Sequence, residues 1–295
     1  MRQGLAAAAA AYLIWGLFPI YWKLLQAVPA PQIMAHRIVW CAGFVALWLA
    51  LRDGFGWLRT LSPRLLGLLA TSALLIALNW WLYIWAVNAG HIVETSLGYF
   101  INPLVSVLMG VLILRERLNP AQWLAVGIAA TGVLWLTWQS GRPPWIALAL
   151  ALSFGSYGLI RKVAVVPAVR GLAVESGLLF LPALAFLLWS ESHGSGSFGH
   201  ISLRTDALFV TSGLVTALPL VLFAIGARRI PLSMVGLLQY LAPSLQLACG
   251  VFLFGEVFTQ SQAIGFGCIW LALGVYAGDS LWRVRRSVSM TPVRA

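Results

Sequence analysis

Ten times along this chain a run of about 20 apolar residues passes with almost no charge inside it, the length a helix needs to cross the hydrocarbon core of a bilayer. The runs fall at 5–25, 31–51, 65–87, 95–114, 121–138, 145–161, 172–189, 207–226, 232–253 and 261–280. Only 9% of the residues are charged and 61% are hydrophobic, whereas a soluble domain carries about 25% charge. Water-facing surface cannot be built from so little charge, so lipid is the expected solvent. In lipid each backbone polar group must be paired inside the protein, and runs of this length do that as helices. The first run follows Arg2 and exceeds the roughly 7–15 residues of a signal-peptide core, so it reads as a retained span. The connectors are short and carry breakers such as Pro29, Pro31, Pro63, Asn119-Pro120, Pro143-Pro144 and Pro231. They leave no room for a soluble domain.

Arginine and lysine orient the spans. With the N-terminus in the cytoplasm, 15 basic residues fall in cytoplasmic segments, while Lys23, Arg142 and Arg204 fall outside and Arg37 lies within a span. Such a bias follows the positive-inside rule and puts both termini in the cytoplasm. The net charge of +11 is therefore a membrane-orientation signal, not a nucleic-acid footprint. Cys41, Cys249 and Cys268 are scattered through apolar runs, which makes them small buried hydrophobes. No metal-ligand cluster and no cofactor motif appears.

The two halves repeat at an offset of about 140 residues. Pro103 matches Pro243, Gly110 matches Gly250, Glu116 matches Glu256, Gln122 matches Gln262 and Gly127 matches Gly267. Earlier in each half the offset is 139, pairing Trp15-Gly16 with Phe154-Gly155, Lys23 with Lys162, and His36 with Glu175. Each half holds five spans, an odd number, so the second copy enters the membrane the other way up. The expected fold is all-α integral membrane, ten transmembrane helices in two inverted-topology five-helix repeats, 1–140 and 141–282, followed by a basic cytoplasmic tail at 283–295. Inverted repeats suit a protein that exposes a central site alternately to either side. Pro103 and Pro243 sit mid-span in both halves. A proline there removes a backbone hydrogen bond and kinks the helix, which marks both as candidate hinges.

A charge inside a span costs about 2.5–3.5 kcal/mol on insertion scales, so each one needs a reason. Arg37 lies six residues after Pro31, ~9 Å into the membrane at about 1.5 Å per residue. It has three open readings: snorkelling to the interface, pairing with Glu94, or donating to an anionic solute. Glu94 and Glu175 near helix starts suit the helix dipole, and Glu116 and Glu256 at helix ends read as structural. Asn79, Asn102 and Gln239 need hydrogen-bond partners, on other helices or in a cavity. Trp138, Trp145 and Trp282 suit the interface, whereas Trp15, Trp40 and Trp81 fall deeper. Tyr99 and Tyr240 lie near the kinking prolines and are expected to face a shared central space.

The stretches AYLIWG (11–16), AHRIVW (35–40), NWWLYIWAVN (79–88), ETSLGYFINPL (94–104) and QWLAV (122–126) carry a resemblance. So do Arg161-Lys162, Gln239-Tyr240 with Pro243, and Gly255-Glu256 in the second half. The chain resembles the RarD-type permeases of the EamA branch of the drug/metabolite transporter superfamily, bacterial inner-membrane proteins. The resemblance implies ten helices around a central cavity and transport of small organic solutes, metabolites or drugs such as phenicols, usually outward. Residues inside the matching motifs are the substrate-binding candidates: His36, Arg37, Asn79, Tyr99, Asn102, Gln239 and Tyr240. Glu94 and His36 are the candidates for coupling transport to protons. His36 qualifies because an imidazole switches near neutral pH.

The expected partners are a small-molecule substrate and the lipid bilayer, with a homodimer left open. The competing readings are an integral membrane enzyme and a flippase for lipid-like substrates. Against an enzyme, no nucleophile elbow, H-E-x-x-H or phosphate-cradling loop is present.

Overall fold

The structure is a computed structural model that describes residues 1–89, 91–141, 144–255 and 257–289. Within these, the side chains of 87–88, 92–96, 140 and 280–289 lie outside the described set. The expected spans are all helical. They are α1 (Arg2–Lys23), α2 (Ala30–Arg52), α3 (Pro63–Asn88), α4 (Ile92–Leu112), α5 (Pro120–Ser140), α6 (Trp145–Val163), α7 (Ala168–Ser192), α8 (Leu203–Arg229), α9 (Leu232–Leu253) and α10 (Gln260–Ser289). Among the described residues nine helices are long and apolar enough to cross a membrane, and α4 adds the apolar stretch Leu97–Leu112. Helix α10 runs on to Ser289, well past the expected end of the last span at 280.

Local chemistry sets the helix ends. Helix α5 opens with a capping box, in which Gln122 N–H donates to Asn119 Oδ1 at 2.9 Å and Asn119 N–H donates to Gln122 Oε1 at 3.0 Å. The start of α10 repeats the device, with Thr259 N–H donating to Gln262 Oε1 at 2.9 Å and Gln262 N–H to Thr259 Oγ1 at 3.3 Å. The Gln122–Gln262 match in the repeat therefore has a cause, because both side chains satisfy backbone donors that helix starts leave orphaned. Helix α5 ends on Gly141 in the left-handed conformation (φ +65°).

The halves interlock instead of lying side by side. Helix α4 packs on α6 and α9, α1 on α8 and α9, α2 on α7 and α8, α3 on α6 and α7, and α5 on α10. Three helices thus meet their own counterparts in the other half: α2 meets α7, α4 meets α9, and α5 meets α10. That is the pattern of a two-fold pseudo-axis lying between two inverted copies. Helix α9 approaches α4 closely at Gly236, where an added Cβ would stand 2.6 Å from the Pro103 carbonyl oxygen. Outward-facing side chains such as Leu74, Leu112, Leu181 and Phe252 are exposed, as lipid contact requires. Trp81 is exposed with them, whereas Trp40 packs inward against Phe44 and Phe198.

The prolines act differently in the two halves. Helix α4 runs unbroken through Pro103. Helix α9 is interrupted at Tyr240, between Leu232–Gln239 and Leu241–Ala248, and then widens into a π turn over Cys249–Leu253. Proline 243 has no N–H for the carbonyl four residues back, which belongs to Gln239. The break lies one turn before the proline, as that lost bond dictates.

Candidate functional site

A cavity of about 360 Å³ lies between α1, α2, α3, α4, α6, α8 and α9, drawing walls from both halves. Its lining runs from Trp22 and Tyr83, near the ends of α1 and α3, down to Tyr12, Phe154 and Gln239 at mid-depth. It therefore opens toward the face opposite the N-terminus. Aromatic side chains make most of its wall, including Trp15, Trp22, Trp80, Tyr83, Tyr99 and Phe154.

Of the residues expected from sequence, the cavity brings together Arg37, Asn79, Tyr99, Asn102 and Gln239, with Pro243 beside them. Arg37 reaches in from α2, and its Nε donates to Thr216 Oγ1 on α8 at 3.0 Å. Its guanidinium sits 4.6 Å from the Trp22 ring, 4.9 Å from Trp80 and 5.9 Å from Phe18, close enough for cation–π attraction. Among the described residues it has no carboxylate partner. The Glu94 side chain, its expected counter-ion and a coupling candidate, lies outside the described residues. Asn79 Nδ2 ties α3 to α6, donating to Leu150 O and Ser153 Oγ, each at 2.9 Å. Tyr99 stands edge-on to Tyr83, with ring centroids 6.0 Å apart. The side-chain carbonyl oxygens of Asn102 and Gln239 are buried and accept no hydrogen bond among the described residues.

Two candidates are placed elsewhere. His36 is buried in an aromatic slot, stacked on Phe209 at 4.1 Å between ring centroids and flanked by Phe198 at 5.5 Å. Successive helix residues point about 100° apart, so the rotation that turns Arg37 inward turns His36 away. Tyr240 is fully buried behind the wall, and its hydroxyl donates to the Phe100 carbonyl at 3.2 Å. That bond fastens the break in α9 to α4. Sequence reasoning missed Phe18, Trp22, Trp80, Tyr83, Thr216 and Gln246. The in-span hydroxyl of Thr216 and amide of Gln246 were the available signals.

Toward the face that carries the N-terminus the protein is closed. Phe223 meets Tyr12, Trp15, Phe154 and Tyr157 with ring centroids 5.6–6.2 Å apart. Below them lies a layer of charge-assisted bonds. Glu116 accepts from the N–H groups of Leu232 (2.6 Å) and Ser233 (2.9 Å) at the start of α9. Lys162 donates to the carbonyl of Ala227 (3.2 Å) in the last turn of α8 and to that of Ile230 (2.6 Å) just past it, and stands 3.7 Å from Glu116. Anion at a helix start and cation at a helix end both complement the helix dipoles.

Arg161 Nη1 pairs with Glu175 Oε1 at 3.2 Å, and Ser72 Oγ donates to the same oxygen at 2.6 Å. Both charged residues are 2% exposed. The helix-dipole reading of Glu175 is therefore corrected: it lies beyond the first turn of α7 and answers to Arg161.

The profile of the EamA-like transporter family matches residues 2–138 and 143–277. The chain is 48% identical to "Protein RarD" of Streptomyces exfoliatus over 97% of this chain and 91% of that one. It is 34% identical to "Chloramphenicol-sensitive protein RarD" of Pseudomonas aeruginosa over 96% of each. A crystal structure of a protein that is 19% identical superposes with a TM-score of 0.70, covering 92% of this chain and 96% of that one. That likeness concerns the fold.

Proposed function

Because the chain belongs to the EamA-like transporter family, we propose that it moves small organic solutes by alternating access through the cavity where its two halves meet. It is a multi-pass membrane transporter, not an enzyme. The observation that carries the mechanism is a cavity sealed toward one face only. The aromatic cluster around Phe223 and the ionic layer of Glu116, Lys162, Arg161 and Glu175 form the seal. The excess of Arg and Lys supports a cytoplasmic position for that sealed face in a bacterial inner membrane, and on that reading this conformation faces outward. Arg37, Asn79, Tyr99, Asn102 and Gln239 are the proposed solute contacts, and the break before Pro243 is the proposed hinge. A volume of about 360 Å³ lies in the range of small-molecule sites. Export is the proposed direction. The name of the chloramphenicol-sensitive relative makes phenicols a reasonable first cargo class.

The test is counterflow in proteoliposomes. Vesicles loaded with an unlabelled phenicol or metabolite should take up the labelled compound only when they contain the protein, and the recovered label should be chemically unaltered. No protein-dependent exchange across a broad solute set would sink the carrier reading, and altered label would point to an enzyme.

A further inference from the structure

The charge balance of the cavity narrows the cargo. Arg37 is the one charged residue among the described residues of the lining. A guanidinium carries five N–H donors. One is used on Thr216, and no other hydrogen bond of Arg37 is found among the described residues. Among the described residues, an intramembrane arginine whose only company is a neutral hydroxyl and three rings lacks a counter-charge. Its planar fork matches an oxyanion that can accept two parallel bonds.

We infer that the solute is an organic monoanion with an aromatic or apolar body, its carboxylate seated on Arg37 and its body against the aromatic walls. The inference rests on the carrier reading above. One negative charge balances the guanidinium, whereas a phosphate dianion would leave a second charge uncompensated in a site with no further cation among its described residues. Trp15, Trp80, Tyr83, Tyr99 and Phe154 supply flat apolar surface for the body. A cation would meet Arg37 with like charge and no carboxylate among the described residues of the lining to hold it.

The experiment uses the full chain in lipid nanodiscs and an isosteric set: 3-phenylpropanoate, 3-phenylpropanamide, 3-phenylpropylamine and phenyl phosphate. Binding is read from tryptophan fluorescence and thermal shift. The carboxylate should bind at least about tenfold more tightly than the amide, the amine or the phosphate. Arg37→Gln should weaken carboxylate binding on the order of 10- to 100-fold, as loss of a charged hydrogen bond does. Arg37→Lys, which keeps the charge without the fork, should fall between. Thr216→Val keeps the guanidinium intact and reads the same preference should Arg37→Gln fold poorly. Equal binding of amide and carboxylate, carboxylate affinity unchanged in Arg37→Gln, or no binding by any member of the set would overturn the inference. Counterflow separates the two levels. A neutral solute carried equally well by Arg37→Gln leaves the carrier standing and removes the anion, whereas Arg37-dependent binding of a carboxylate that never crosses does the reverse.

Discussion

Arg161 and Glu175 show how one side-chain contact ties three helices. The carboxylate of Glu175 on α7 takes Arg161 from α6 and Ser72 from α3, and Arg161 Nη2 also donates to Ala168 O at 3.0 Å. Gly171 leaves the space the guanidinium occupies, since any Cβ there would collide with Arg161 Nη1. Removing one partner strands a buried charge, which costs about 3–5 kcal/mol. Glu175→Leu and Arg161→Met should each lower the melting temperature markedly in detergent. The double variant Arg161→Met/Glu175→Leu should lose much less than the sum, because an apolar pair replaces both charges. A thermal-denaturation cycle over the four proteins decides this, and additive losses would remove the coupling.

Residue identity alone hid this pair. Arg161 sits beside Lys162 at a helix end, where basic residues count toward topology, and nothing in the sequence announces burial. The same blindness split His36 from Arg37, Gln239 from Tyr240 and Trp80 from Trp81. In each adjacent pair the structure turns only one residue into the cavity, and helix rotation is set by packing against neighbours that a single sequence does not display.

At the scale of the element, spans were legible because apolar length is a one-dimensional signal. Repeat matches were legible too, but their causes differ. Gln122 and Gln262 cap helices, whereas Gly127 and Gly267 have no atom within 4 Å of an added Cβ, and nothing in the structure explains their match. The kink at Pro243 follows from its missing N–H. That α4 stays continuous through Pro103 was not legible, and α9 approaches it closely there at Gly236.

Two expectations follow. Gly236→Val should destabilise by about 1–3 kcal/mol or more through overpacking against a backbone that cannot yield. Gly267→Val should be tolerated, and detergent melting curves of the two compare them directly. Pro243→Ala returns a donor to the Gln239 carbonyl and should raise the melting temperature. If the break is a working hinge, the same change should slow counterflow several-fold, on the order expected when hinge residues are altered. A more stable variant with unchanged exchange would make the break a passive kink.

For the whole molecule, what matters is how the sealed face is held. Lys162, on the sealed face, is bonded to the end of α8 and stands beside Glu116. Its repeat partner Lys23, on the open face, lies 3.9 Å above the Phe254 ring. The partner of Glu116, Glu256, lies outside the described residues. Loosening the sealed face should therefore favour the opposite conformation. Removing a contact worth about 1.4 kcal/mol shifts a two-state population tenfold. In Lys162→Ala, a cysteine placed at Ile76, deep in the cavity wall, should react faster with a reagent supplied from the N-terminal side. Unchanged labelling from that side would mean Lys162 does not hold the seal.

The guanidinium of Arg37, the one charge among the described residues of the lining, also has an electrical consequence. A monoanion that neutralises Arg37 makes the occupied carrier blind to the membrane potential at that point, while the vacant carrier keeps its charge in the field. Across a membrane negative inside, an anion leaving the cell gains about 2.3 kcal/mol per 100 mV, a gradient of about fiftyfold with no co-transported ion. Such a protein would export against a concentration gradient on voltage alone, and collapsing the potential with valinomycin and potassium would abolish that accumulation while leaving one-for-one exchange intact.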